Sequence, residues 1–592
     1  MSGGASSLDG KLLVAAIDFG TAYSGYAYSF RNDYKLDPLK ITTNHWTGEG
    51  SQTMSPKAPS SVLLNPDKTF NSFGYRAEEE YSNLVENGQH KDWYFFKEIK
   101  MRLLYKEKIS RTATIDDECG KPMLGLTVLS MIIRYLKKDL FEKLEQRGMA
   151  LRDQDILWVL TVPAIWSDAA KQFTKEAAEE AGIKHADVLL VYEPEAAALY
   201  CRFQKMQNIF NAKDDSNLSE KRKMMVFDMG GGTTDISVIE IKSSEKDGKE
   251  EIHIVERACG GAFGGVFVNE KFIQWLNSIF GKETMKQFKI EHRSDYMSLI
   301  ANFEEKKRLL DSKGDKPICV QIPQFLKSSA EKGWGCSLEE SFAKLNISDV
   351  RVKKRGKLFL PSSFLLETCF LPIAKDVFDE LQRILTKHGD IDCVVAVGGL
   401  AQSPAVVSEI RKYGKDIPVY VPFDSSLAVV SGAVLYGHDK NVIKARVCPY
   451  SYGIQSMRHF IEGKDDESKK VKQEGETWCK HTFRALYKAG DLVRLGEVRK
   501  YDFMESFTDG NRQGKRDKPI LCIIFASRDR EPRYVTDPGC HEHGTLSIDP
   551  PNTGFPDQYE CTVGFEFAGT EIIARIYEEN RIIKTVKLDF LN

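Results

Sequence analysis

Two stretches of the chain set an aspartate just ahead of a glycine turn: Asp18-Phe19-Gly20-Thr21 and Asp228-Met229-Gly230-Gly231-Gly232-Thr233. Glycine turns let backbone N–H groups approach anionic oxygens with no Cβ in the way. A carboxylate beside phosphate oxygens would repel them unless a hydrated divalent cation lay between. Either stretch alone reads as an ordinary turn, because Asp and Gly are common after strands. The recurrence changes the reading. Two aspartates at matching places, each followed by a glycine turn, point to a polyphosphate and one shared metal, with ATP and magnesium as ligands of suitable charge. The Walker pattern GxxxxGK[ST] and the GxGxxG fingerprint are both absent, which removes support for the common alternative nucleotide folds.

The elements that must position these residues also recur. Leu12 to Ile17 is an apolar run leading into Asp18, and Tyr23 to Phe30 returns as a strand; Met224 to Phe227 leads into Asp228, and Ile236 to Ile241 returns. After the first copy, Ile156 to Pro163 reads as a buried strand, followed by a helix with Ser167 as N-cap and Gly182 as its stop. After the second, Cys393 to Gly399 is a strand and Ala405 to Tyr413 a helix. Strands alternating with helices at this spacing predict α/β lobes with largely buried sheets, two of them facing one cleft. Asn211 to Lys223 reads as an exposed loop, Ser243 to Glu251 as a hairpin tip, and Glu270 to Leu310 as helix-rich. Past Asn441 short alternating runs, Ile520 to Phe525, Tyr559 to Phe567 and Ile582 to Phe590, predict a separate β-rich domain, with Lys464 to Glu476 as a charged loop inside it.

Bulk properties set the remaining limits. A chain of 592 residues is too long for one core. A net charge of -2 gives no bulk attraction to nucleic acid or acidic membranes. No apolar run approaches the roughly 20 residues that span a bilayer, and no signal-length apolar core precedes Asp18. The cysteines show neither zinc nor CxxC spacing, as expected of buried thiols in a reducing, cytoplasmic or also nuclear setting. Cys540-His541-Glu542-His543 is weighed as a metal cluster, but adjacent residues rarely point at one centre, and a Gly/Pro-flanked surface loop is the preferred reading.

Several motifs carry a resemblance. Ile17 to Ser24 resembles the first phosphate loop of 70-kDa heat-shock proteins, and Phe227 to Asp235 the second. Thr161-Val162-Pro163-Ala164 and Glu193-Pro194-Glu195-Ala196-Ala197-Ala198 resemble the family's first connecting segments, Phe263-Gly264-Gly265 its Leu-Gly-Gly turn, Val397-Gly398-Gly399 with Pro404 its adenosine motif, and Ser431-Gly432-Ala433 its last connecting helix. Tyr534-Val535-Thr536-Asp537 and the altered motifs resemble most the atypical member-12 branch.

The resemblance implies an α/β actin-like ATPase fold: two ribonuclease-H-like lobes (about 12–210 and 224–440) around a nucleotide cleft, then a β-sandwich-like domain over 445–592 that binds protein clients or adaptor partners. It implies that Asp18, Glu193 and Asp228 hold magnesium through its waters. Backbone groups of Gly20, Thr21, Ala22 and Tyr23 and of Gly230, Gly231, Gly232 and Thr233 would hold the phosphates. Glu304, Lys307 and Arg308, with Asp311, Gly398 and Gly399, would surround the adenosine. A lysine near the γ-phosphate, Lys100 by preference over Lys97, would join Glu193, Asp228 and Thr233 in catalysis.

The departures count too. Ala22 replaces a usual threonine, Leu400 and Gln402 replace a serine and an adenine-stacking arginine, and Asp311 replaces a serine. Lys440 to Arg446 lacks the family's acidic-leucine linker, and after Leu591-Asn592 no helical lid is expected. A chaperone-like protein with slow ATP hydrolysis is therefore weighed against an adaptor that binds ATP with negligible turnover, and a sugar or acyl kinase of the same fold ranks last.

Overall fold

The computed structural model describes residues 10–47, 54–104, 109–204, 223–243, 250–261, 263–310, 317–345, 350–353, 356–414, 417–473, 475–507, 515–568, 570–578 and 581–591. They form two compact units. The first comprises Met1–Trp166, Phe173–Ile241 and Ala258–Lys440, and the second Ser167–Gln172, Lys242–Arg257 and Asn441–Asn592. The expected loop Asn211 to Lys223 and the hairpin tip after Ser243 lie almost wholly outside the described residues.

Ahead of Asn441 one arrangement occurs twice, almost wholly within the first unit. Strand β1 (Leu13–Phe19) returns as β2 (Tyr23–Phe30), and a short edge strand β3 (Ala58–Pro59) pairs with β2. Helix α1 (Ile99–Leu104) precedes β4 (Ile156–Val162), α2 (Asp168–Glu180), β5 (Val188–Tyr192) and α3 (Glu193–Phe203). The sheet runs β5-β4-β1-β2, with β4 parallel and β2 antiparallel to β1. The second copy has β6 (Lys223–Met229), β7 (Thr234–Ser243), α4 (Gly265–Phe280), α5 (Arg293–Lys306), β8 (Cys393–Val397), α6 (Pro404–Gly414), β9 (Val419–Tyr420) and α7 (Ala428–His438). Its strands run β9-β8-β6-β7, the same order with the same directions. Asp18 and Asp228 are thus the penultimate residues of equivalent strands, paired with Gly25 and Asp235 respectively. Every residue of β1 and of β4 is buried, as parallel strands covered on both faces require.

Helix α2 begins as read: Ser167 Oγ accepts from the Ala170 N–H at 3.2 Å, and Gly182 closes the helical segment at φ +84°. Helices α3 and α7 cross almost backbone to backbone. A Cβ at Gly432 would lie 1.6 Å from the Ala196 carbonyl oxygen. The Ala-rich face of α3 and the small residues of α7 are what allow this approach.

The second unit is a two-sheet β sandwich. A five-stranded sheet contains Ser451–His459, Lys470–Gln473, Glu476–Tyr487, Ile520–Ser527 and His541–Ile548; a four-stranded sheet contains Val498–Ser506, Gln558–Ala568, Glu571–Glu578 and Arg581–Lys587. Alternate residues of both sheets, among them Tyr452, Ile454, Ile524, Leu546, Val563, Phe565, Ala574 and Ile576, fill one core. Among the described residues no helix follows the last of these strands.

Two local expectations need correction. Within Lys464 to Glu476, Lys470–Gln473 is a strand of a hairpin, because Val471 pairs opposite Trp478. Cys540 to His543 is the entry to a strand, where alternation puts His541 and His543 on one face beside Tyr450, and His543 also beside Tyr452 and Phe590. The stretch that lacks the acidic-leucine linker contains a strand, Ile443–Val447, its buried Ala445 paired with Arg494. Among the described residues the cysteines are free thiols and no helix is long and apolar enough to cross a membrane.

Loop 461–466 is tied down by one carboxylate. Asp465, with no side-chain exposure, accepts two bonds from Arg458 at 2.7 and 2.6 Å, one from the Ile461 N–H at 2.9 Å and one from the Tyr534 hydroxyl at 3.0 Å. The Arg458 bonds, with those of Ile461 and Tyr534, hold its carboxyl well below the ordinary value of 3.8.

Two measurements check this description. Gly432→Ala is expected to destabilise the first unit by at least about 3 kcal/mol in chemical denaturation, since the added carbon overlaps a backbone oxygen. Asp465 contributes stability above its unfolded pKa and loses it as pH falls below about 4. Asp465→Asn should therefore cost the second unit about 1–3 kcal/mol at neutral pH and flatten the acid limb of its pH–stability curve.

Candidate functional site

The two glycine turns meet. A Cβ at Gly231 would stand 2.9 Å from the Ala22 Cβ, and one at Gly232 would stand 2.5 Å from both the Thr21 Oγ1 and the Met101 Sδ. A side chain at either place would force its neighbours to shift. The second turn is closed by the Gly230 N–H donating to the Thr233 carbonyl at 2.9 Å, and is backed by the Val266 N–H donating to the Gly231 carbonyl at 2.9 Å and the Thr234 hydroxyl donating to the Phe263 carbonyl at 2.6 Å. Phe263-Gly264-Gly265 thus braces the second loop. Ser60 braces the first: its N–H donates to the Ala22 carbonyl at 2.8 Å and its hydroxyl to the Gly20 carbonyl at 2.7 Å. Gly398, at φ +89°, comes so near the second aspartate that a Cβ there would lie 2.7 Å from the Asp228 Oδ1, whereas Gly399 faces open space.

Ionisable groups gather at these turns. Asp18 is 5% exposed and Asp228 4%. Asp18 accepts from Lys57 Nζ at 2.5 Å on one oxygen and from the Thr161 hydroxyl at 2.8 Å on the other. Lys100 Nζ, on α1, donates to Glu193 Oε1 at 2.6 Å and lies 5.1 Å from the centre of the Trp166 ring. Among the described residues no hydrogen bond or ion pair reaches Asp228, and its strand neighbour Asp235 is buried too. Burial opposes the charge on Asp18, but Lys57 and Lys100 outweigh it and keep that carboxyl below its ordinary value. Burial, then the charges of Glu193, Asp235 and Asp18, push Asp228 well above the usual carboxylate range. Burial also raises Glu193 despite Lys100.

Of the two candidate lysines, Lys100 stands among the carboxylates, while Lys97 pairs with Glu78 at 2.7 Å. Thr233, 9% exposed, has its hydroxyl 3.5 Å from Asp235. Glu304, Lys307 and Arg308 come together at the end of α5, but largely as partners of one another. Lys307 is fully buried and donates to Glu304, to the Gly265 carbonyl at 2.5 Å and to Asn269 Oδ1 at 2.9 Å. Arg308 donates to Glu304 at 3.2 Å and its guanidinium lies 4.6 Å from the centre of the Tyr23 ring, so it is the member of the three, 29% exposed, that faces the first loop. Asp311 lies outside the described residues. Sequence reasoning missed Lys57, Ser60 and Asn269. Ser60 and Lys57 sit in Pro56-Lys57-Ala58-Pro59-Ser60, whose only signal is the extended backbone that proline favours.

At the rim, Arg293 on α5 donates to the Glu118 carbonyl at 2.8 Å and to its side chain at 3.2 Å; Ser294 shares a hydrogen bond with Ser82 at 2.7 Å and donates to Glu86 at 3.0 Å. Met297 packs on the cluster of Leu63, Ala77, Tyr81 and Phe95.

Whether a divalent cation suits this donor set can be judged from Asp228. A buried carboxylate with no partner among the described residues, beside three others, is stabilised by an added cation more than by anything already present. Among the described residues no three of His, Cys, Asp or Glu form a direct metal cluster. Magnesium keeps most of its waters and takes few protein ligands, so it would be held here through water. The donor set is all oxygen, again as magnesium prefers.

A doubled α/β lobe with an aspartate and a glycine loop at each equivalent strand end defines the class: an actin-like ATPase fold, here followed by a β-rich region. The family model described as Hsp70 protein matches residues 52–482, more than half the chain, and the protein belongs to that family. It is similar to heat shock 70 kDa protein 12A of Mus musculus and of Homo sapiens, 29% identical in each case over 98% of this chain and 92% of those proteins, and to heat shock 70 kDa protein 12B of Homo sapiens, 27% identical over 98% of this chain and 91% of that protein. It is thus closely related to the atypical 12A/12B branch. Membership gives it the family's general role, nucleotide binding joined to interaction with other proteins.

Asp228 makes a test of the charge argument. Asp228→Asn removes an uncompensated buried charge and is expected to raise the stability of the nucleotide-free protein by about 1–2 kcal/mol, read as a higher melting temperature in EDTA.

Proposed function

We propose that the protein binds ATP with magnesium between the glycine loops and hydrolyses it slowly, using the bound state to control lobe closure and protein binding by the β sandwich. The supporting observation is the convergence of Asp18, Asp228, Asp235 and Lys100, all buried, and of Glu193 and Lys57, partly buried, on two glycine loops that touch.

The backbone N–H groups of Gly20 to Tyr23 and of Gly231 to Thr233 bind the phosphate oxygens from either side, Gly230 closing the second turn. Magnesium, when bound, neutralises charge on the phosphates and would be held through its waters by Asp228 and Glu193, with Asp18 alongside. Lys100, oriented by Glu193, sets a positive charge beside the terminal phosphoryl group, where negative charge is redistributed as water attacks in line. Arg308, held by Glu304 and facing Tyr23, covers the nucleoside end with Gly398 and Gly399. Slow turnover accords with a site whose cations are already paired, because each must weaken an internal ion pair to serve the phosphates. Protein partners, as clients or adaptors, bind the β sandwich, by strand addition or in an apolar groove.

Calorimetry with ATP and magnesium, followed by a phosphate-release assay on the same sample, is the direct test. Magnesium-dependent binding is expected in the wild type, and that magnesium dependence is expected to be lost in Asp228→Ala. Lys100→Ala is expected to keep binding within about tenfold while phosphate release falls at least about a hundredfold. Binding with no release above background in the wild type would replace the ATPase with an ATP-sensing adaptor.

A further inference from the structure

The two halves of the repeat treat their aspartates differently. Asp228 has no hydrogen bond or ion pair from the described residues, whereas both oxygens of Asp18 are engaged, one by Lys57 and the other by Thr161. The Lys57 side chain is 16% exposed and that of Asp18 7%, so this is an interior ion pair.

The pair is built into the fold at several points. In the β1–β2 ladder the residue opposite Asp18 is Gly25. The stem of Lys57 passes over that glycine: a Cβ at Gly25 would come 3.0 Å from the Lys57 Cγ and 3.0 Å from the Pro56 carbonyl oxygen. The missing side chain is what lets the lysine lie on the sheet and reach the strand end. The backbone around it is fixed to the same loop, since Ala58 pairs with Ser24, Pro59 with Tyr23, and Ser60 bonds Gly20 and Ala22. The field of this one ammonium also reaches Glu193 and Asp228, where it opposes their mutual repulsion.

We propose that Lys57 is a resident cation of the phosphate site, one that neutralises Asp18 and lets this chain bind a nucleoside triphosphate with less dependence on magnesium than its carboxylates alone would impose. The proposal rests on the nucleotide reading above. A triphosphate brought up to unneutralised carboxylates meets repulsion that only an added metal relieves. With Lys57 on Asp18 and Lys100 on Glu193, two of the carboxylates are offset before any metal arrives, and each ammonium has further N–H donors for phosphate oxygens. Magnesium then adds affinity chiefly through Asp228.

The test compares ATP affinity by calorimetry in magnesium and in EDTA, using the full chain as wild type, Lys57→Gln and Lys57→Arg. Glutamine can still donate to Asp18, which favours folding without the charge, and thermal melting checks each variant. In the wild type, removing magnesium is expected to weaken ATP binding by about tenfold. In Lys57→Gln that ratio should grow by a further ten- to hundredfold or so, the worth of a charge-assisted contact, and Lys57→Arg should return it to within about threefold of wild type. An equal magnesium dependence in wild type and Lys57→Gln would overturn the proposal while leaving nucleotide binding intact. So would complete loss of wild-type binding in EDTA, a result that needs no variant. Absence of ATP binding by the wild type even with magnesium would instead overturn the nucleotide reading beneath it.

Discussion

Like charges cannot be buried together without a counter-charge, and this constraint organises the first unit. Asp18, Glu193, Asp228 and Asp235 are brought to one place with two lysines, Lys57 and Lys100, so carboxylates outnumber ammonium groups there. In a fold selected only for stability such a cluster would be replaced by apolar residues, because burying charges costs more than pairing them returns. Its persistence at the ends of two matching strands, under glycine loops that touch, marks a site prepared for a charged ligand. The remaining parts serve that placement. The parallel partners β4 and β8 fix the strand ends, Phe263 to Gly265 and Ser60 hold the loops from behind, and α1 carries Lys100 to Glu193.

How much of this was legible depends on where the information lies. The Asp-x-Gly turns and the strands that flank them announce themselves locally, through residue type, alternation and recurrence, so the lobes and both glycine turns could be read directly. The β-rich region was legible for the same reason. Lys57 was not: a single lysine between prolines has no spacing that ties it to Asp18, and the partnership exists only because β3 pairs with β2 beside Gly25. The group Glu304, Lys307 and Arg308 shows the converse limit. Helical spacing brings the three together, but spacing does not tell whether charges face a ligand or one another, and Lys307 proves to be buried among Glu304, Gly265 and Asn269. Cys540 to His543 looked like a loop because glycine and proline flank it, yet cross-strand pairing with Phe525 and Ala526 and aromatic neighbours make it the start of a strand.

The Tyr534-Val535-Thr536-Asp537 stretch acquires a physical role in the second unit. The Tyr534 hydroxyl reaches Asp465, the Asp537 carboxylate accepts from the backbone N–H groups of Arg533 and Tyr534 at 2.8 and 2.9 Å, and Thr536 accepts from Lys469 at 2.8 Å. A short polar motif therefore ties two connecting segments of the sandwich together. Its four residues act as a fastening of the fold.

The rim of the cleft has a composition of its own. Arg293 and Ser294 reach Glu118, Ser82 and Glu86 through an ion pair and hydroxyl bonds, with Met297 as the apolar contribution, whereas at the α3–α7 crossing the contact is backbone against backbone and free of charge. Mobile ions weaken the first kind of contact and leave the second untouched. The contact of Arg293 with Glu118 is consequently screened as ionic strength rises, while the α3–α7 crossing presents no charge for salt to screen.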